Sequence, residues 1–71
     1  MKFFHSTYDP KFEGYGGFVL LKTPNYSASG FTIGYFDESF YTEDSSEDIT
    51  EYVTEWAYLN WKIYFLIIKM N

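Results

Sequence analysis

The sequence predicts a mainly β protein: a small antiparallel sheet with a hairpin at about 31–42, folded as a single domain over residues 1–71. Two observations carry this. Short apolar and aromatic runs recur between breaks rich in glycine, proline and serine, which is the spacing of strands. Those runs favour Phe, Tyr, Val, Ile and Thr, side chains that fit a pleated, half-buried surface. An α+β alternative, with a helix at about 46–59, arises from one segment whose apolar residues follow a different period.

Taken in order, residues 1–17 read as loop, since Asp9-Pro10 interrupts regular structure and Gly14-Tyr15-Gly16-Gly17 is permissive. Phe18-Val19-Leu20-Leu21-Lys22 is a strand bounded by glycines and by Thr23-Pro24-Asn25. Residues 26–30, with two serines and a glycine, form a turn. Phe31-Thr32-Ile33-Gly34-Tyr35-Phe36 alternates as a strand does, and Ser39-Phe40-Tyr41-Thr42 returns beside it. Asp37-Glu38 is the tight turn between them, without the glycine that primed hairpin turns favour.

Residues 43–60 support two readings. Ile49, Tyr52, Val53, Trp56 and Ala57 fall at i, i+3, i+4, i+7 and i+8, one face of a helix. Asp44 and Glu47 would then sit near its positive end. The same stretch is rich in strand formers, and as a strand it would place Tyr52, Thr54 and Trp56 on one face. The run 61–69 is apolar and reads as a buried strand or a continuation of the helix.

Composition narrows the function. Ten acids stand against five lysines and no arginine, for a net charge of -5. Direct nucleic-acid binding is not expected, because neutralising phosphates needs clustered Lys and Arg. The absence of cysteine excludes a disulfide scaffold, a thiolate nucleophile and a Cys-based zinc site. Eighteen aromatics exceed what a core of this size hides, so some belong at a surface or interface, and a homo-oligomer or a partner protein is expected. The N-terminus lacks the apolar core of a signal peptide. The most apolar run, about eight residues at 61–68, falls short of the ~20 that a membrane helix requires. A cytoplasmic protein with no membrane contact is expected. The Asn25-Tyr26-Ser27 sequon then has no role.

The order of Phe18-Val19-Leu20-Leu21, Phe31-Thr32-Ile33-Gly34-Tyr35-Phe36, Ser39-Phe40-Tyr41 and Val53-Thr54-Glu55-Trp56-Ala57-Tyr58-Leu59 resembles a family of small phage and prophage proteins of unknown function. Members close on a Val-Thr-His-Trp-Met-Pro-Leu-Pro-like segment. Here Glu55 stands in place of the histidine, Tyr58 and Asn60 in place of the prolines, and the chain continues to Asn71. The resemblance implies a compact antiparallel β domain with Val53–Trp56 as a strand, encoded by a phage and acting in the bacterial host cytoplasm. It brings no known activity.

Eight of the ten acids, Asp37, Glu38, Glu43, Asp44, Glu47, Asp48, Glu51 and Glu55, fall in 37–55 with no lysine among them. In the helical reading Glu47, Glu51 and Glu55 stack about 6 Å apart along one face. Such a strip could mimic phosphates and dock in the basic groove of a host protein, with Tyr52, Trp56 and Trp61 as anchors. The plainer reading is a solvated face that keeps an aromatic-rich protein soluble. The acids do not follow the spacing of a calcium loop, so no metal is predicted. His5 is the sole histidine and has no nucleophile in sequence support; Gly14-x-Gly16-Gly17 lacks the ending of a phosphate-binding loop. Neither catalysis nor a cofactor is expected. The function expected is that of an acidic accessory protein that binds and inhibits a host protein, the alternative being a structural or assembly protein that acts through self-association.

Overall fold

A computed structural model describes residues 2–11 and 17–59. These form a five-stranded sheet of β1 (Phe4–His5), β2 (Val19–Lys22), β3 (Phe31–Asp37), β4 (Ser39–Thr42) and β5 (Glu55–Tyr58). The spatial order is β1-β5-β2-β3-β4, and every neighbouring pair is antiparallel. The mainly β expectation holds. Among the described residues the helical element is one 3-10 turn, Thr50–Tyr52, so the α+β alternative is corrected.

The core follows from strand periodicity. The register sets Leu21 opposite Trp56 and Phe36 opposite Phe40. Alternation then carries Val19, Leu21, Phe36, Phe40, Trp56 and Phe4 to one face. Ile49 and Val53, from the connection between β4 and β5, close over that face; both are buried. Trp56 sits at its centre. Its ring stacks on Phe4 at 4.8 Å and meets Tyr58 edge-on at 4.8 Å, and its indole N–H donates to the Tyr8 carbonyl at 2.7 Å.

The helical spacing is explained by this packing. Of the five residues in the pattern, Ile49, Val53, Trp56 and Ala57 are buried, from different elements, whereas Tyr52 is exposed. Ile49 and Val53 flank the 3-10 turn, whereas Trp56 and Ala57 are neighbours on β5 and point to opposite faces. The loop reading of 1–17 is corrected too. Phe4 and His5 pair with Trp56 and Glu55, and Ser6 N–H donates to the Thr54 carbonyl at 3.1 Å. A two-residue strand is too short to leave a periodic signal. The strand implied at Val53–Trp56 is shifted to Glu55–Tyr58. The apolar run 61–69 lies outside the described residues.

Two backbone details complete the hairpin. Glu38 adopts φ 63, so an ordinary residue stands in the left-handed region where glycine is usual. Gly34 leaves no room for a side chain: a Cβ there would strike the Tyr41 carbonyl and come within 2.8 Å of Leu21. β3 and β4 meet closely at that point.

Candidate functional site

Two turns, each fixed by a buried threonine, build one face. Thr23 is buried beneath the β2–β3 turn, where its hydroxyl hydrogen-bonds Ser27 at 2.9 Å and Thr32 at 2.7 Å. The N–H groups of Tyr26 and Ser27 donate to its carbonyl, both at 3.1 Å. Thr42, also buried, does the same for the loop after β4. Its hydroxyl accepts from Glu47 N–H at 3.0 Å, and its own N–H donates to the Glu47 carbonyl at 2.9 Å. Ser46 N–H donates to the Thr42 carbonyl at 2.9 Å, with Ser46 at φ 54.

These turns bring Tyr26 to Glu47 across 21 residues of sequence. The Tyr26 hydroxyl donates to the Glu47 carboxylate at 2.9 Å, and its ring lies 5.3 Å from that of Tyr52. Both rings are more than a third exposed, at 38% and 37%. The Tyr26 phenol is held above its ordinary range, first because it donates to Glu47, then through burial and the negative charges of Glu47 and Asp44. Asp48 has the opposite shift. It accepts from Thr50 N–H at 3.0 Å and from the Thr50 hydroxyl at 2.7 Å, which pulls its carboxyl below the usual range. The exposed face thus combines two tyrosine rings with a dense negative charge.

The acids foreseen from sequence divide. Asp37 and Glu38 are exposed at the tip of the β3–β4 hairpin. Glu43, Asp44, Glu47 and Asp48 are exposed along the loop after β4, and Glu51 is exposed in the 3-10 turn. Glu55 is set apart on β5, half-buried and ion-paired to Lys22 at 3.0 Å. With no helix here, the Glu47–Glu51–Glu55 ladder does not form. Trp56 is corrected as an anchor, because at 1% exposure it belongs to the core. Tyr52 is available at the surface; Trp61 lies outside the described residues.

Sequence reasoning did not connect Tyr26 with this face, because only the fold joins it to Glu47 and Tyr52. The loop 47–50 also closes the outer edge of β4. Phe40 N–H donates to the Thr50 hydroxyl, and the Phe40 carbonyl accepts from Ile49 N–H, both at 2.9 Å. With Thr42 bound on both sides, the outward groups of Phe40 and Thr42 are occupied. That protects the edge from strand addition.

The described residues define a small aromatic-rich β protein with an acidic, tyrosine-bearing face. No protein-family model matches the chain, and no curated protein or solved structure shows significant similarity to it. Among the described residues no helix is long and apolar enough to cross a membrane, and no group of three or more His, Asp or Glu is placed to hold a metal ion.

Proposed function

We propose that this is a small phage-type accessory protein without catalytic activity, which binds and inhibits a host protein through its acidic face. The resemblance to phage and prophage proteins supplies the host. The observation that carries the reading is the exposure of seven acids in 37–51, while the ion pair among the described residues, Lys22–Glu55, lies elsewhere. Carboxylates concentrated at the β3–β4 tip and in the loop after β4 raise the field around them and steer a basic partner. Tyr26 and Tyr52 add amphipathic contact area, the kind enriched at interface cores. Carboxylates displayed on turns can stand where a basic groove expects phosphates.

Capture from bacterial lysate tests this. The bait is the intact chain, and the control carries Asp37→Asn, Glu38→Gln, Glu43→Gln, Asp44→Asn, Glu47→Gln and Glu51→Gln together. A partner retained by the first and lost by the second is expected. An unchanged set of captured proteins overturns the acidic contact.

A further inference from the structure

The opposite face of the sheet holds a cavity of about 230 Å³. Leu20 on β2 is paired with Ile33 on β3, and Glu43 N–H donates to the Ile33 carbonyl at 3.0 Å. These three therefore run side by side across neighbouring strands, and the register sets them on the face turned away from the Trp56 core. Ser29, Phe31, Thr32 and Asp44 complete the wall. The volume falls below the ~300–1,000 Å³ of ordinary small-molecule pockets, so a single amino-acid side chain is the better match.

The lining is graded in chemistry. Leu20 and Ile33 form an apolar floor, and Phe31 is 43% exposed at the rim. Glu43 and Asp44 are the acidic residues of the lining, neither in an ion pair among the described residues. Lys22, across from Phe31 in the register, is held by Glu55 and lies 4.2 Å from the Phe3 ring centroid. A phosphate or carboxylate ligand would be repelled here. Arginine suits every part: its methylene stem covers apolar floor, its planar fork matches carboxylates, and it stacks on aromatic rings. Lysine lacks the fork and holds its water more firmly.

Building on the acidic-face reading, we infer that this cavity seats an arginine side chain from the basic protein partner. Asp44 lines the cavity and belongs to the same loop after β4 that carries Glu47, the carboxylate bonded to Tyr26.

The test is an NMR titration of the intact chain with acetyl-Ala-Arg-Ala-amide, alongside the lysine and citrulline analogues. The arginine peptide is expected to shift the amides of Phe31, Ile33, Glu43 and Asp44 saturably. Citrulline, neutral at the same shape, should shift none of them, and lysine should bind several-fold more weakly. Phe31→Ala and, separately, Glu43→Gln with Asp44→Asn should each weaken the arginine peptide at least tenfold. The second variant changes only exposed carboxylates, so its fold is secure if Phe31→Ala misfolds. Equal response to citrulline, or shifts confined to Glu38, Glu47 and Glu51, overturns the cavity assignment. The acidic-face reading fails separately, when the sixfold amide variant keeps its captured partner.

Discussion

Trp56→Ala is expected to unfold the protein rather than merely blunt its binding. The side chain is 1% exposed, stacked on Phe4, edge-on to Tyr58 and hydrogen-bonded to Tyr8. Truncating a buried tryptophan costs about 3–5 kcal/mol. A core in a chain this short contributes no more than about 3–5 kcal/mol net, so the loss removes the whole margin. Trp56→Phe separates the components. It keeps a ring beside Phe4 but loses the second ring's volume and the indole N–H, for a loss of about 1–2 kcal/mol. With a urea slope near ~1 kcal/mol/M, that moves the midpoint down by roughly 1–2 M. Urea denaturation followed by circular dichroism reads both variants. A cooperative transition at the wild-type midpoint in Trp56→Ala would refute the core assignment and restore Trp56 as a surface anchor.

Gly34→Ala should cost more than ~2 kcal/mol, since the new Cβ meets the Tyr41 carbonyl and Leu21 inside the sheet; thermal melting checks it. Thr50→Val leaves the buried Phe40 N–H without its acceptor, a loss of about 1–3 kcal/mol, and hydrogen exchange at that amide should accelerate. Asp48 has a folded pKa below its unfolded value near ~3.9, so its stabilisation is present above that pH and fades as pH falls through the folded pKa. In acid-denaturation curves Asp48→Asn should flatten this loss below about pH 4. For Tyr26 the sign reverses. Its folded pKa is raised, so the contribution is whole below ~10 and lost as pH rises through the folded pKa. Tyr26→Phe should remove a late-titrating contribution from the phenolate absorbance curve.

The strands β2 and β3 and the return of β4 were legible because each is an apolar run closed by turn residues. The exposed acids were legible as a charge block, although their arrangement was not. Ile49, Val53, Trp56 and Ala57 were recognisable as buried, but their spacing suggested a helix because a 3-10 turn and a strand succeed each other there. Periodicity reports burial, and two short elements in sequence can imitate one longer one. Trp56 shows the same limit from the other side: its type is common at interfaces, and only packing decides that it serves the core. Tyr26 was not tied to this face because its partner Glu47 comes from a distant turn, and only the fold sets Phe31 and Glu43 around one cavity. β1 was missed because two residues carry no period.

The claim that matters most is that the acids of 37–51 make the contact with a basic partner. Calorimetric titration of the captured partner against the intact chain, repeated across ionic strength, examines it directly. Affinity should fall at least tenfold from low to high salt. It should fall as much in the sixfold amide variant, and stay unchanged in Glu55→Gln, whose carboxylate is engaged with Lys22. Salt-independent binding that the amide variant matches would contradict the account.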